Sequence, residues 1–287
     1  MMIIIFSETV AHDALLTMKE IRMTTTTRNT AVITGASSGI GAIYADRLAQ
    51  RGHDLVLVAR RADRLQSLAD AISAKHGVRV ETLVADLATK AGQDSVVQLL
   101  TSDPAISVLV NNAGTARLMP VAASTEQDLA SQLALNITAL TRLTHAALPG
   151  FKERKQGTII NIASVLGLHT LPITAVYSGT KSFVVAFTRG LEQELEGTGV
   201  KVQAVLPAAT ATELWDASGV PLAALAPETV MAADAMVDAA LFGLDQGESL
   251  TLPSVADSGL IERHEQARVA LFAASQTGKV APRLQQA

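Results

Sequence analysis

A tyrosine and a lysine lie four positions apart in the segment YSGTKSFVVAF, residues 177–187. The chain has only one other tyrosine, Tyr44. On a helix, residues i and i+4 share a face, with Cβ atoms about 5–6 Å apart. A lysine ammonium at that distance favours the phenolate and lowers the pKa of a tyrosine, which is ordinarily about 10. Tyr177 and Lys181 therefore have the chemistry of a general acid–base acting at an oxygen atom. Taken alone, the pair is more simply explained as one packed aromatic residue and one solvated lysine.

A second feature that could contribute to function is the glycine-rich segment TGASSGIG at residues 34–41. It follows an apolar run typical of a buried strand and precedes a helical pattern. Gly35, Gly39 and Gly41 allow the backbone to approach a pyrophosphate closely. The N–H groups and the positive dipole end of the following helix favour the anion. In this strand–loop–helix setting the segment predicts a dinucleotide-binding site.

The elements that must position these features alternate between strand and helix patterns. Several strands are apolar on both faces, which is typical of a parallel sheet covered by helices. The sequence thus predicts an α/β fold, a single-domain Rossmann-like doubly wound parallel sheet with helices on both faces. Predicted strands cover 30–35, 54–60, 78–87, 106–114, 157–164 and 200–207, and predicted helices cover 40–52, 62–77, 91–103, 125–151 and the region around 177–187.

The segment after Pro207 carries weaker signals. Residues 208–230 predict a substrate lid made of loop and short helical pieces, with Trp215 in it. A helix is predicted within 231–247, and an amphipathic helix over 261–275 belongs to a C-terminal helix and tail, 258–287. The whole of 29–287 is predicted to be one domain. Residues 1–28 are interpreted as an accessory or disordered extension without chemistry, and a short surface helix is the alternative.

Composition excludes several classes of function. The chain has 287 residues, is 48% hydrophobic and contains no cysteine, so disulfides, thiolate catalysis and Cys-based metal sites are excluded. No histidine has the spacing of a metal ligand, and no metal is predicted. The net charge is −4 without a basic stripe, which argues against a nucleic-acid partner. No apolar run reaches the roughly 18–20 residues of a membrane span. The expectation is a cytoplasmic protein without a membrane partner.

Together these motifs resemble the classical short-chain dehydrogenases/reductases, over roughly residues 29–210. The family's T-G-x-x-x-G-x-G loop matches residues 34–41. The resemblance implies that Ser164, thirteen residues before Tyr177, holds the substrate oxygen. It also implies that Asn136 bends its helix and positions a water in a proton relay to Lys181, which reaches the nicotinamide ribose.

The cofactor-binding set follows from the same resemblance. Asp86 is expected to accept from the adenine amine, with Leu87 beside the ring. The NNAG segment, 111–114, is expected to bind cofactor and tie the central strands together. Ala208 replaces a common glycine, so a left-handed backbone there would be strained. The full predicted set is Gly35, Ser37, Ser38, Gly39, Ile40, Gly41, Arg60, Asp86, Leu87, Asn112, Ala113, Gly114, Tyr177, Lys181, Pro207, Thr210 and Thr212.

The end of the second strand bears on cofactor choice. NAD-specific members carry an acidic residue where this chain has Ala59, followed by Arg60 and Arg61. A guanidinium grips a 2′-phosphate with charge-assisted bonds. NADP(H) is therefore favoured over NAD(H), with Arg60 as the expected contact and Ser37 as a hydroxyl partner. Solvation of a turn is the alternative role for these arginines.

The resulting hypothesis is an NADP(H)-dependent oxidoreductase. It would interconvert a carbonyl and an alcohol on a small, apolar substrate by hydride transfer, with Asn136, Ser164, Tyr177 and Lys181 as catalytic residues. The alternative is a regulatory protein that senses NADP(H) without turnover. The apolar circumference of the helix that carries Lys181 predicts a homodimer or homotetramer.

Overall fold

Short segments rich in Val, Ile and Leu form the strands of one parallel sheet. The computed structural model describes residues 29–285, so the predicted extension at 1–28 lies outside the described residues. Within that part, seven strands lie in the order β3-β2-β1-β4-β5-β6-β7, and every neighbouring pair is parallel. The strands are β1 Thr30–Thr34, β2 Asp54–Ala59, β3 Val80–Val84, β4 Ile106–Asn111, β5 Gly157–Ile162, β6 Val200–Val205 and β7 Leu250–Thr251.

The described part of the chain contains eight longer helices, most of which pack on the two faces of this sheet. They are α1 Gly39–Gln50, α2 Ala62–His76, α3 Lys90–Ser102, α4 Glu126–Leu133, α5 Leu140–Glu153, α6 Ala175–Glu194, α7 Ala233–Asp245 and α8 Ser258–Ser275. One core cluster joins the sheet to α1, α2 and α7. A second cluster, on the other face, joins it to α3, α5 and α6. The predicted doubly wound fold is confirmed.

The strand order reverses between β1 and β4, because β2 and β3 extend one way and β4 to β7 the other. In open α/β sheets, ligands bind at the carboxyl ends of the strands where the order reverses. The residues that follow β1 and β4 are the glycine loop and the NNAG segment. The topology therefore brings these two motifs to one crevice.

The helix predicted over residues 125–151 is interrupted in its middle. Thr125 and Asp128 form a capping box at the start of α4, and a π-helical segment, Ala134–Ala139, joins α4 to α5. Asn136 lies inside this segment and is buried. Such i→i+5 segments redirect the helix and are frequent at functional sites. The position of the predicted bend at Asn136 coincides with this π-helical segment.

The C-terminal part contains one element that was not predicted. Strand β7 is only two residues long, too short for an alternating pattern. The lid has three 3₁₀ turns, Glu213–Ala217, Leu222–Ala224 and Pro227–Thr229, as expected. The predicted helix over 261–275 exists within α8, and no residue of α8 is buried. No helix among the described residues is both long and apolar enough to cross a bilayer.

Candidate active site

The glycine loop packs against the end of β4 with no room for side chains. A Cβ atom added at Gly41 would lie 2.4 Å from the carbonyl oxygen of Gly35 and 2.5 Å from Nδ2 of Asn112. Gly35 and Gly39 also have positive φ angles, 66° and 55°, which favour glycine. The Asn112 amide donates to the carbonyl oxygen of Thr34 at 2.9 Å. The loop is thus held by the strand next to it rather than by its own side chains.

The N-terminus of α1 fits an anion. Its N-cap residue, Ser38, makes no side-chain capping bond, and the first turn holds no acidic residue. The first N–H groups of a helix have no intrahelical partner, and the dipole makes this end positive. Together with a loop in which a Cβ would clash, these groups suit the pyrophosphate of a dinucleotide. Ser37, Ser38, Gly39, Ile40 and Gly41 all lie in this loop and first turn.

Buried polar side chains tie the carboxyl ends of the central strands together. Asn111 on β4 donates to Oδ1 of Asn161 on β5 at 2.9 Å and to Thr144 on α5 at 3.0 Å. Asn161 in turn donates to Thr188 on α6 at 2.9 Å. The Thr34 hydroxyl, at the end of β1, accepts from the N–H groups of the two residues after Asn111. The predicted structural role of the NNAG segment is confirmed.

Asn136 connects the segment after β4 to α6, the helix that carries Tyr177 and Lys181. Its Oδ1 accepts from the N–H of Thr115, and its Nδ2 donates to the Thr115 carbonyl and to the Thr180 hydroxyl. A Cβ atom at Gly114 would lie 3.3 Å from Asn136 Oδ1 and 3.8 Å from Lys181 Nζ. The expected asparagine therefore lies beside the expected lysine, with a glycine between them.

Tyr177, Lys181 and Ser164 come together where β5 and α6 meet. Tyr177 is 9% exposed and Lys181 6%. Lys181 Nζ donates to the carbonyl oxygen of Ile162, the last residue of β5, at 2.7 Å and lies 5.7 Å from the centre of the Tyr177 ring. The turn after Ser164 packs directly on α6, because a Cβ at Gly167 would lie 2.8 Å from the Lys181 carbonyl oxygen. The i, i+4 geometry predicted for the pair is confirmed.

The Ser164 hydroxyl also orders its own turn. Its Oγ accepts from the N–H of Leu166 at 3.1 Å and donates to the carbonyl oxygen of Pro207 at 3.4 Å. The second contact is long for an O–H donor, so this proton is available to a better acceptor. Ser164 and Pro207 therefore lie on adjoining walls of the same crevice.

Burial is the main cause of the pKa shifts of Tyr177 and Lys181. It raises the pKa of Tyr177 to about 12, and the hydrogen bond with Ser164 acts in the opposite direction. Burial also lowers the pKa of Lys181 from 10.5 to about 8. The prediction of a lowered tyrosine pKa was wrong for the protein by itself. The physical reason is that burial of the phenolate raises this pKa by more than the Ser164 hydrogen bond lowers it.

Arg61, rather than Arg60, lies on the glycine loop. Its guanidinium donates to the Ser37 hydroxyl at 3.0 Å and to the Ser38 hydroxyl at 2.7 Å. It also pairs with Glu213 at 2.8 Å, and Arg64 pairs with the same carboxylate at 2.6 Å. Among the described contacts, Arg60 has no ion pair. The structure thus places Arg61 on the loop, while the contact of Arg60 with a 2′-phosphate stays a prediction.

The remaining predicted cofactor residues surround the same crevice. Asp86 accepts from the N–H of Ala88, whereas Leu87 is buried in the core and offers little surface to an adenine ring. The methyl group of Thr212 lies 3.1 Å from a Cβ added at Gly39, so the lid begins directly over the glycine loop. Thr210 donates to the carbonyl oxygen of Ala208 at 3.2 Å.

Ala208 causes no strain in this position. Lys155 is the single non-glycine residue of the described chain with a positive φ, so the backbone at Ala208 is ordinary for an alanine. Nor do the described residues contain a group of three or more acidic or histidine side chains placed to hold a metal ion.

Comparison with known proteins agrees with this geometry. The model of the short chain dehydrogenase family matches residues 29–220, which include the glycine loop, Asn136, Ser164, Tyr177 and Lys181. The chain belongs to the short-chain dehydrogenase family. This dehydrogenase therefore carries all four expected catalytic side chains of its family within the matched region.

Two solved structures are similar over nearly their whole length. A short-chain dehydrogenase from Sphingobium yanoikuyae in complex with NADPH is 43% identical, with a TM-score of 0.85, covering 89% of this chain and 99% of that one. A bulky-bulky ketone specific alcohol dehydrogenase from Comamonas testosteroni is 37% identical, with a TM-score of 0.82, covering 91% and 100%. A very-long-chain 3-oxoacyl-CoA reductase from Anas platyrhynchos is 33% identical over 207 residues. That match covers 71% of this short-chain dehydrogenase and 66% of the relative.

Sequence reasoning missed the contribution of three polar residues to the site. Thr34 bridges β1 and β4, and only its position before the first glycine hinted at a role. Arg64 and Glu213 meet across 149 positions of sequence, so no local pattern relates them.

Proposed function

We propose that this protein is an NADP(H)-dependent oxidoreductase that interconverts a carbonyl group and an alcohol. The observation that carries the proposal is the convergence of Ser164, Tyr177 and Lys181 beside a glycine loop built for a pyrophosphate. Bound NADPH would supply a hydride to the carbonyl carbon. The residues of the chain would then bind the substrate, orient it and deliver the proton.

Tyr177 is the proton donor in this proposal. Its raised pKa, about 12, keeps the phenol protonated at neutral pH, so it can give a proton to the carbonyl oxygen. The Ser164 hydroxyl, which holds only a long bond of 3.4 Å to Pro207, donates to the same oxygen and stabilises the charge that develops there. The turn after Ser164 packs without free space on α6, the helix that carries Tyr177.

Lys181 supplies positive charge in a place where water cannot screen it. Its ammonium is buried and bonded to a backbone carbonyl, which fixes its position beside the tyrosine ring. It would hold the ribose of the nicotinamide and favour the phenolate that remains after proton transfer. Asn136, held on three bonds, would position the water that returns a proton.

The cofactor proposed is NADP(H) rather than NAD(H). Ala59 ends β2 without a carboxylate, and Arg61 and Arg64 lie next to the loop. An acidic residue at Ala59 would repel a 2′-phosphate, whereas guanidinium groups bind it. Arg61→Ala is expected to weaken NADPH binding more than NADH binding, and more than Arg60→Ala does. The opposite order of the two variants would restore Arg60 as the contact.

The substrate proposed is a bulky apolar ketone. Leu214 and Trp215 stand at the front of the lid, and Leu214 is 37% exposed. The similar Comamonas enzyme is described as specific for bulky ketones, and the Anas relative as a reductase of 3-oxoacyl-CoA. Screening diaryl ketones and 3-oxoacyl thioesters by NADPH absorbance separates these two classes.

The decisive test is Tyr177→Phe with Tyr44→Phe as its matched control. Tyr44 is the other tyrosine of the chain, fully buried in the core, and its hydroxyl has no hydrogen-bond partner. Turnover is expected to fall about 10²–10⁴-fold in Tyr177→Phe, the usual share of a general acid, and to stay unchanged in Tyr44→Phe. NADPH affinity, measured by calorimetry, should be unchanged in both.

A regulatory protein that binds NADP(H) without turnover is the alternative. It would bind NADPH and show no carbonyl reduction across the substrate screen, even though the four catalytic side chains are present. Equal activity of Tyr177→Phe and the parent protein would reject the proposed mechanism.

We also propose that the protein assembles as a homodimer or homotetramer in the cytoplasm. Phe183 and Phe187 of α6 stack on each other at 5.6 Å and are half-buried. The outward face of the same helix carries small residues, including Gly179, Ser182 and Ala186, all exposed. A face of small residues allows another helix to approach closely. A monomer in sedimentation would contradict the oligomer.

A further inference from the structure

An acidic side chain of the lid forms ion pairs with the two arginines that are proposed to bind a 2′-phosphate. Glu213, the first residue of the 3₁₀ turn Glu213–Ala217, pairs with Arg61 Nη1 at 2.8 Å and with Arg64 Nη1 at 2.6 Å. Both carboxylate oxygens are used, because Arg64 contacts each of them. A carboxylate in this arrangement occupies guanidinium donors that a phosphate could also use.

We propose that Glu213 is an intramolecular competitor of the cofactor's 2′-phosphate and couples its binding to the position of the lid. The inference rests on the proposed NADP(H) function. A 2′-phosphate that binds Arg61 and Arg64 displaces the Glu213 carboxylate, so the start of the lid moves away from the glycine loop. A nucleotide without that phosphate leaves the carboxylate in place.

The ion pairs are weak enough for such an exchange. The side chains of Arg61, Arg64 and Glu213 are 42%, 50% and 47% exposed. Ion pairs at this exposure contribute little, since water and salt screen them. A dianionic phosphate that offers more acceptor oxygens to the same two guanidinium groups therefore replaces a single carboxylate.

The movement is confined by contacts at both ends of the turn. At its far end, the N–H of Leu118 donates to the carbonyl oxygen of Ser218 at 2.7 Å, and Arg117 donates to that of Ala217. At its near end, Ala211 and Met231 are joined by a backbone bond of 2.9 Å. Release of Glu213 thus affects the short stretch between these anchors, which contains Trp215.

Trp215 makes this movement measurable. It is the one tryptophan of the chain, and its Nε1 donates to the carbonyl oxygen of Thr210 at 2.8 Å. Its side chain is half-buried, so a change in the position of the turn alters its exposure and fluorescence. The signal reports on the lid whether or not a substrate turns over.

The experiment compares Glu213→Gln with Asp216→Asn. Asp216 is an exposed carboxylate of the same turn that contacts neither arginine, so both variants remove one negative charge from the lid. The probes are adenosine 2′,5′-bisphosphate and adenosine 5′-monophosphate, which differ by the 2′-phosphate. Affinity is measured by calorimetry and lid movement by the fluorescence of Trp215.

Three results are expected. The bisphosphate changes Trp215 fluorescence in the parent protein and the monophosphate does not. Glu213→Gln binds the bisphosphate about 1.5-fold to fivefold more tightly, the range of an exposed ion pair, with the monophosphate unaffected. In Glu213→Gln the fluorescence already resembles that of the parent protein with bisphosphate bound, whereas Asp216→Asn behaves like the parent in both measurements.

Other outcomes overturn the inference in distinguishable ways. If Asp216→Asn strengthens bisphosphate binding as much as Glu213→Gln does, general repulsion explains the effect. The bisphosphate could also bind the parent protein and Glu213→Gln with equal affinity and leave the Trp215 fluorescence of the parent unchanged. In that case the coupling fails while the NADP(H) function stands. If neither nucleotide nor NADPH binds, the proposed function fails as well.

Discussion

Lys181 offers a direct test of how burial sets the chemistry of the site. Its ammonium is 6% exposed and bonded only to the Ile162 carbonyl in the described contacts. The replacement Lys181→Met keeps the length and apolar stem of the side chain and removes the charge. We expect it to abolish turnover and, at neutral pH, to leave the protein as stable as before or more stable.

The expected change in the free energy of unfolding follows from the lowered pKa of Lys181. The decrease in this pKa from 10.5 to about 8 corresponds to a free-energy cost of about 3 kcal/mol for burying the charged ammonium at pH 7. Loss of the bond to the Ile162 carbonyl costs roughly 1–3 kcal/mol in the opposite direction. The free energy of unfolding of Lys181→Met at pH 7 should therefore exceed that of the parent by roughly 0–2 kcal/mol.

The dependence on pH separates these two contributions. Between pH 8 and 10.5 the unfolded chain keeps the lysine proton while the folded chain loses it, so the unfolded state binds more protons and the stability of the parent rises with pH. From pH 7 to 9.5 this gain is about 2 kcal/mol. Lys181→Met lacks the group and should not share the rise.

The assay is urea unfolding followed by circular dichroism at several values between pH 7 and 9.5. Lys201→Met, at an exposed position of β6, is the control and should parallel the parent protein throughout. A constant difference in unfolding free energy between Lys181→Met and the parent would refute the reasoning, because it would mean that burial imposes no cost on the lysine charge.

Three further replacements test the loop, the oxygen site and the buried network. In Gly41→Ala the new Cβ would lie 2.4 Å from the Gly35 carbonyl oxygen, so NADPH affinity should fall at least about tenfold. The control is Gly179→Ala, whose Cβ would have nothing within 4 Å and which should leave NADPH affinity unchanged. Equal affinities in the two variants would contradict the packing of the loop. Ser164→Ala should lower kcat about 10²–10³-fold with unchanged NADPH affinity, and a loss of affinity instead would point to a role in cofactor binding. Asn161→Ala should lower the free energy of unfolding by about 2–4 kcal/mol in urea, and a neutral result would show that its two bonds are replaced by water.

The sequence was sufficient for the parts of the site that are local. Tyr177 and Lys181 share a helix face because they are four residues apart, and the glycine loop follows directly from the strand before it. The doubly wound parallel sheet follows from the alternation of strand and helix segments, whereas the order of the strands, and hence the crevice between β1 and β4, comes from the structure. Asn136 and Ser164 were found by resemblance, since a single asparagine or serine carries no pattern of its own.

Features set by contacts between distant segments could not be predicted. Arg60 and Arg61 are neighbours of the same type, and only the path of the chain after β2 decides which of them crosses the glycine loop. The contact with Glu213 depends on where the lid lies, 152 residues further on. The pKa of Tyr177 depends on burial, which the i, i+4 spacing to Lys181 does not reveal.

The pKa shifts of Tyr177 and Lys181 are both caused by burial, and they favour carbonyl reduction over alcohol oxidation. Burial disfavours charge on both groups, so the phenol holds its proton more strongly and the ammonium less strongly than in water. A protonated phenol is the state that carbonyl reduction consumes, whereas alcohol oxidation requires the phenolate first. Reduction should therefore proceed without a penalty at pH 7, and oxidation should accelerate as pH rises. In the proposed reaction the lysine would contribute after the proton has moved, because its positive charge would then lie beside a phenolate. On this reasoning Lys181 stabilises the product of proton transfer more than the resting tyrosine, and the cost of burying its charge is recovered during the reaction.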